Sequence, residues 1–247
     1  MKCYASYREI DEIAEGLIRQ FNTQFHTNSE YVDIERFVTG FLGYQIRYEN
    51  MAEADRIKMA FLADGKTPLH ILENGKRITV IFPEKTIVLD RFYQRSEEEC
   101  KKRFAIAHEA GHIIMNKLCG MPVVAAFQTE FDKEREYSIQ ELKEMLSLGE
   151  RYANNMASAL LMPRTKVTEV MKRVTSKERL PIYGDSVIDI EDKKIIEQMA
   201  SVLKVSFSAM FLCLKQLELT FYRPIEEYIT KHLGDVLKGG MPDGANF

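Results

Sequence analysis

The sequence lacks the long apolar segments that would place a protein in a membrane. No apolar run approaches the roughly 18 residues needed to span a bilayer, and the charged start MKCYASYREIDEIAEGLIRQ has no apolar core like that of a signal peptide. Internal repeats and low-complexity segments are absent as well. We therefore expect a cytoplasmic globular protein, which at 247 residues is long enough to bury a substantial core.

Paired cysteines and an excess of positive charge are also missing. The cysteines at positions 3, 100, 119 and 213 form no C-x-x-C pair, so we expect free thiols instead of a disulfide framework or a cysteine-based zinc site. Lys and Arg number 34 against 37 Asp and Glu, which gives a formal net charge of -3. Without a global positive field, binding to nucleic acid or to an anionic membrane would require a local basic patch.

Helical periodicity dominates what is present. Apolar spacing and capping residues predict helices at 7–22, 33–42, 97–118, 138–149, 150–161, 190–203 and 207–217. Between them, the segment ITVIFPEKTIVLD at 78–90 contains two β-rich runs broken by Pro83, which predicts a hairpin. The sequence therefore predicts an α+β fold that is mostly helical, with a small β-sheet directly before the segment RFAIAHEAGH.

The segment RFAIAHEAGH at 103–112 contains the pattern H-E-x-x-H. His108 and His112 lie four residues apart, and Glu109 follows the first of them. On a helix, two imidazoles one turn apart can bind one metal ion, and Glu109 is placed to take a proton from a metal-bound water. The alternative is an ordinary helix that carries two structurally satisfied histidines.

A catalytic zinc site needs a third protein ligand and one position left for water. The other histidines are remote in sequence, so we expect a carboxylate. Glu150 lies at the start of GERYANNMASALLMP, where Ala153 and Ala157 continue its helical face. Such small residues would let this helix pack closely against Gly111. Glu144 is the alternative ligand, although it lacks that alanine face.

Together these motifs resemble the ImmA/IrrE family of zinc metallopeptidases. RFAIAHEAGHIIMNK and ERYANNMASALLMP match its patterns R-F-x-x-A-H-E-x-G-H and E-x-x-A-N-x-x-A-x-x-L-L-M-P, and segments near both ends of the chain are similar too. The resemblance implies a zincin-like domain, His108, His112 and Glu150 as ligands of Zn2+, and Glu109 as the catalytic acid/base. The interval before Glu150 is longer than the family spacing, which indicates an extra element within 119–149 that would shape the substrate rim.

The sequence indicates one metallopeptidase domain over residues 1–237. Its expected parts are a helical segment at 1–60, the hairpin and catalytic helices at 78–163, and a helical segment at 186–237, followed by a flexible tail at 238–247.

Other parts of the site are left open by the spacing. His70, Tyr137 and Tyr152 are candidate donors to the oxyanion, but such residues are more often part of the core or surface, so none of them is included in the catalytic set. Asn154 is a candidate for orienting a ligand, with an exposed helical Asn as the alternative. The hairpin is either an edge strand to which an extended substrate adds or a buried structural sheet.

The expected function is zinc-dependent hydrolysis of a peptide bond in a protein. The resemblance implies a helix-turn-helix repressor of a mobile element or stress operon as the substrate, because such repressors are often encoded beside family members that cut them. The alternatives are a DNA-binding regulator and a metal-dependent regulatory protein that cuts nothing. The segment SFSAMFLCLKQ has only one basic residue, Lys215, which favours core packing over DNA reading, so we expect no direct nucleic-acid or membrane partner.

Overall fold

The architecture is that of an α+β protein, as the sequence predicts. The computed structural model describes residues 5–52, 58–119, 126–129 and 147–238. Within these ranges, the structure contains helices, a four-stranded mixed sheet and two smaller two-stranded sheets.

Most of the helices lie close to the predicted positions. The helix at Arg164–Val174 is not among the predicted ones, and the helix at Ile225–Lys238 is predicted only as part of the helical segment at 186–237. The helices are α1 (Tyr7–Phe25), α2 (Ile34–Arg36, continued by the π-helical segment Phe37–Leu42), α3 (Glu99–Leu118), α4 (Leu148–Leu161), α5 (Arg164–Val174), α6 (Ile190–Leu203), α7 (Phe207–Gln216) and α8 (Ile225–Lys238). Short 3-10 turns at Arg91–Gln94 and Ser96–Glu98 precede α3. The predicted helix at 138–149 lies mostly outside the described residues, and so does the predicted tail at 238–247, of which only Lys238 is described, as the last residue of α8.

Side-chain caps determine where several of these helices begin. At α1 a complete capping box forms, because Ser6 Oγ accepts from the Glu9 amide at 3.2 Å and the Glu9 carboxylate accepts from the Ser6 amide at 2.7 Å. At α4 the cap is Ser147. The same helix ends at Met162, which precedes Pro163 and is therefore disfavoured in a helical conformation.

The strands form three sheets. The main sheet has the order β1-β5-β2-β6, in which β1 (Gln45–Glu49) is parallel to β5 (Thr86–Asp90), and β2 (Lys58–Ala63) is antiparallel to both β5 and β6 (Ala126–Thr129). A separate antiparallel hairpin contains β3 (Pro68–Glu73) and β4 (Lys76–Ile81). Near the C-terminal end, β7 (Leu180–Tyr183) pairs in parallel with β8 (Thr220–Arg223).

The predicted hairpin at 78–90 is wrong as a strand pairing. Both runs are strands, but β4 pairs with β3 through the turn Asn74-Gly75, where both residues have positive φ, while β5 pairs with β1 and β2. Asn-Gly is the stronger hairpin signal because it suits a two-residue turn of this kind. The strand β5 is buried almost throughout, so it needs a neighbour on each edge and packing on both faces, which a two-stranded hairpin cannot supply.

Helix α3 lies at the centre of the packing. It contacts α4 on one side, and β2 and α2 elsewhere on its surface. Its buried surface is therefore wider than the single face that contains His108 and His112, since Ala105, Ile106 and Ile113 are buried as well. A smaller core lies under the β3–β4 hairpin, around Phe61 and Leu69.

A buried guanidinium connects α3 to two distant segments. Arg103 is 3% exposed, and it donates to the carbonyl of Val32 at 2.9 Å and to the carbonyl of Lys204 at 3.1 Å. Its charged group also lies 5.1 Å from the centre of the Tyr31 ring, and Lys204 Nζ lies 3.9 Å from the same ring. Arg103 thereby joins α3 to the chain before α2 and to the turn between α6 and α7.

The pair α6 and α7 packs into the core through residues such as Met199, Leu203, Met210 and Leu214. This burial agrees with the expectation that the closing helices are structural. In the part of the chain that the structure describes, no single helix is long and apolar enough to cross a membrane, and the bent pair α6 and α7 reaches that length and composition only when taken together.

The expectation of free cysteines holds only in part. Cys100 and Cys213 are free thiols, but Cys119 at the end of α3 is disulfide-bonded, so the prediction is wrong for this residue. Cys3 lies outside the described residues. Sequence spacing excludes a C-x-x-C motif, but it does not show which cysteines a fold brings within bonding distance.

We expect Arg103→Met to lower the free energy of unfolding by about 2–4 kcal/mol, because the substitution leaves two buried carbonyls without their charged donor. Urea unfolding followed by circular dichroism measures this change. The control is Lys117→Met, at an exposed position of the same helix, for which we expect a change within about 0.5 kcal/mol. Equal midpoints for the two variants would contradict the assigned role of Arg103.

Candidate metal centre

Helices α3 and α4 bring three potential ligands together. The Nε2 atoms of His108 and His112 lie 3.0 Å apart, and the two carboxylate oxygens of Glu150 lie 3.2 Å from them, one on each imidazole. One ligand atom from each residue falls within 4.8 Å of the others. Ligands around a tetrahedral zinc ion are separated by about 3.4 Å when the bonds are about 2.1 Å long, so the observed spacing fits one metal ion.

The close approach of the two helices depends on Gly111. A Cβ atom at this position would lie 2.5 Å from the carbonyl oxygen of Ala153 and 2.9 Å from its Cα. Both atoms belong to the α4 backbone, so no rotation of a side chain could relieve the overlap. The sequence-based expectation that small residues allow this contact is confirmed, and the contact brings a short carboxylate to the two histidines.

The position of Glu150 on α4 is fixed by the helix cap. Ser147 Oγ accepts a hydrogen bond from the Glu150 amide at 3.2 Å. Glu150 therefore lies in the first turn of α4, where its negative charge also suits the positive end of the helix dipole. Ser147 is not among the site residues predicted from the sequence. The pattern S-x-x-E before an apolar run is the signal that could have identified it.

Asn154 orients one of the histidines. Its Oδ1 lies 2.9 Å from His108 Nδ1, which must carry the proton of this hydrogen bond because a carbonyl oxygen only accepts. His108 Nε2 then faces His112 and Glu150, where it donates to Glu150 when the imidazole is protonated and can bind a metal when it is neutral. Asn154 is also exposed on α4. It therefore combines the two predicted alternatives, a residue that orients a ligand and an exposed helical Asn.

Glu109 is buried beside this cluster. It is 0% exposed, and neither carboxylate oxygen has a hydrogen-bond partner among the described residues. Burial raises the pKa of Glu109, and the charge of Glu150 acts in the same direction, while His108 and His112 oppose the shift. A carboxylate with a raised pKa and unused lone pairs is suited to accept a proton from a water molecule.

The protein groups of the cluster influence each other's charge. Although burial favours the neutral acid, hydrogen bonds from His108 and His112 lower the pKa of Glu150 to about 2. For His108, burial favours the neutral imidazole, but the hydrogen bond to Glu150 and the nearby carboxylates outweigh it and raise the pKa. Glu150 is therefore ionised at neutral pH, as a carboxylate ligand of a metal must be.

The other predicted site residues are not brought to this cluster by any described contact. The Tyr152 hydroxyl accepts from the Ala5 amide at 3.0 Å, and His70 Nδ1 lies 3.0 Å from Thr79 Oγ1 across the β3–β4 hairpin. Tyr137 and the alternative ligand Glu144 lie outside the described residues, as does most of the expected extra element at 119–149.

Comparison with known proteins gives one family match. The model of the M78 peptidase family, described as the IrrE N-terminal-like domain, matches residues 65–211, a range that contains both histidines, Glu109 and Glu150. No curated protein matches the chain at a significant level.

We expect Gly111→Ala to destabilise the fold by about 1–3 kcal/mol and to weaken metal binding, because the added methyl group pushes α4 and Glu150 away from the histidines. Calorimetric unfolding and metal titration measure the two effects. Gly16→Ala in α1 is the matched control, since nothing lies within 4 Å of its Cβ position, and we expect it to stabilise the protein by about 0.5–1 kcal/mol. A Gly111→Ala variant as stable as wild type would contradict the proposed close packing.

We expect Asn154→Ala to reduce metal affinity by about 10- to 100-fold while the fold is retained, because His108 loses the acceptor that fixes its tautomer. Competition with a chromophoric chelator measures the affinity. Asn154→Asp keeps an acceptor oxygen and should bind metal more tightly than the alanine variant, and Asn155→Ala tests the neighbouring position. Unchanged affinity in Asn154→Ala would remove Asn154 from the metal centre.

Proposed function

We propose that this chain, which belongs to the M78 peptidase family of IrrE N-terminal-like domains, is a zinc-dependent endopeptidase that cleaves a protein substrate. The family is one of metallopeptidases. The proposal of zinc-dependent peptide hydrolysis rests on the cluster of His108, His112 and Glu150 next to the buried Glu109.

The donor set supports zinc as the metal. Two imidazoles and one carboxylate leave a coordination position for water or substrate, as in hydrolytic zinc sites. The buried carboxylate of Glu109, which no described donor satisfies, fits a site that contains a further polar species. When bound, zinc would polarise the scissile carbonyl and lower the pKa of its water to about 7.

Glu109 is proposed to move the proton. Its carboxylate accepts a proton from the attacking water and then passes it to the leaving amine, so the residue acts first as a base and then as an acid. Burial raises its pKa towards neutrality, which strengthens it as a base, and the absence of a described hydrogen-bond partner leaves its oxygens available. His108, His112 and Glu150 are proposed as metal ligands.

A helix-turn-helix repressor of a mobile element or stress operon is the proposed substrate, and the cytoplasm is the proposed location. The resemblance to the ImmA/IrrE family supports this substrate class. The burial of α6 and α7 supports cleavage of a regulator over direct DNA reading, since a DNA-binding helix presents basic residues to phosphates.

Zinc content and proteolysis of three variants test this proposal. We expect about one zinc ion per chain in wild type, a loss of zinc in the His108→Ala, His112→Ala double variant, and normal zinc content in Glu109→Gln. Cleavage by Glu109→Gln should fall by about 10² to 10⁴-fold or more, because an amide cannot accept the proton of water. The exposed Glu97→Gln on the approach to α3 is the control and should cleave normally.

The substrate is tested by co-expression with any helix-turn-helix protein encoded beside this gene, followed by mass spectrometry of the fragments. Cleavage by Glu109→Gln at the wild-type rate, or full zinc occupancy without the two histidines, would overturn the mechanism. Sequence-specific promoter binding that weakens steeply with salt would favour a DNA-binding regulator instead.

A further inference from the structure

A pocket lies apart from the metal centre. It has a volume of about 590 Å3 and lies between α1, the beginning of α5 and the C-terminal end of α7, and the residues that matter here are Tyr7, Asp11, Glu15, Arg164, Gln216 and Glu218. None of the four residues of the metal centre lines it. Volumes of this size are typical of pockets that bind small molecules.

A buried carboxylate faces this α1–α5–α7 pocket with one oxygen unsatisfied. Asp11 is only 4% exposed, and its Oδ2 accepts from Arg164 Nε at 3.2 Å. Its Oδ1 is also buried but has no hydrogen-bond partner among the described residues. Because a buried acceptor without a donor is costly, Asp11 Oδ1 is expected to have a donor that enters from the pocket.

A second acceptor lines the same pocket. The Oε1 atom of Gln216 is buried and, within the described ranges, it too lacks a hydrogen-bond partner. A ligand that offers at least two N–H or O–H donors would supply partners for both acceptors.

The charges around the pocket favour a cationic donor. The lining contains four carboxylates and three guanidinium groups, those of Arg8, Arg19 and Arg164. Two of the guanidinium groups are already paired, that of Arg8 with Glu12 and that of Arg164 with Asp11. Glu15 accepts from the Thr165 hydroxyl and amide, and Glu218 adds another carboxylate to the lining. The negative charge of Asp11 is also felt by Tyr7, whose pKa is raised mainly by burial and further by Cys213 and Asp11. An anion would bring further acceptors towards Asp11 and Gln216, whereas the N–H groups of a cation can donate to both residues.

We propose that the α1–α5–α7 pocket binds a small organic cation, whose ammonium or guanidinium N–H groups donate to Asp11 Oδ1 and Gln216 Oε1. A guanidinium group offers several donors in one plane and can therefore serve both acceptors at once. The proposal does not depend on peptide hydrolysis, because it concerns residues outside the metal centre.

The test is calorimetric titration of the full-length, metal-loaded protein with agmatine, which carries one guanidinium and one ammonium group, and with the neutral N-butylurea. We expect agmatine to bind at one site and to raise the melting temperature, and N-butylurea to bind at least ten-fold more weakly. Asp11→Asn should weaken agmatine binding by about 10- to 100-fold, because it removes the charge with little change of shape.

A second variant keeps the test informative if Asp11→Asn unfolds. Gln216→Met preserves the length of the side chain while it removes the acceptor, and it should weaken agmatine binding as well. Glu178→Gln removes an exposed carboxylate that does not line the pocket, and it serves as the control with normal affinity. Equal binding of agmatine and N-butylurea, normal agmatine affinity in Gln216→Met, or saturation of the pocket by K⁺ in place of agmatine would overturn the proposal.

Discussion

The contact between Gly111 and the backbone of Ala153 is the constraint on which the candidate metal centre depends. Two histidines one turn apart are available on any regular helix, but a carboxylate is short and must come from a neighbouring backbone that lies close by. The absence of a side chain at position 111 allows that approach, and the Ser147 cap fixes the turn of α4 from which Glu150 projects. The Gly111 contact sets the distance between the two helices, and the Ser147 cap sets where α4 begins.

Because α3 is central, its buried polar groups lose their contact with water, which costs stability. The structure satisfies these groups in different ways. Arg103 is satisfied by two carbonyls from distant segments, and His108 is held between Asn154 and Glu150. Glu109 is the exception, because both of its oxygens are buried without a described partner. A protein tolerates such a group where its reactivity is used, since the same desolvation that costs stability also makes the carboxylate a stronger base.

Local patterns predict most of the helices, though not α5, because the period of apolar residues, the caps and the proline after Met162 act within a few residues of the chain. The pairing of β4 and β5 with other strands could not be read in this way, since it depends on which surfaces the helices cover. The disulfide at Cys119 is a similar case, because proximity in space is not visible in cysteine spacing. The small residues facing Gly111 predict Glu150 as the third ligand, and the close packing of α3 and α4 agrees with this prediction. The alternative ligand, Glu144, lies outside the described residues.

The order in which the chain emerges from the ribosome gives the α3–α4 contact a further meaning. His108 and His112 are synthesised well before Glu150, and α4 packs against both α3 and the N-terminal α1. Contacts between segments so far apart in sequence form late, because the entropy of closing the intervening loops must be overcome first. A nascent chain that ends before α4 therefore has the histidine pair but not its carboxylate, so the complete centre exists only after the fold has closed around it.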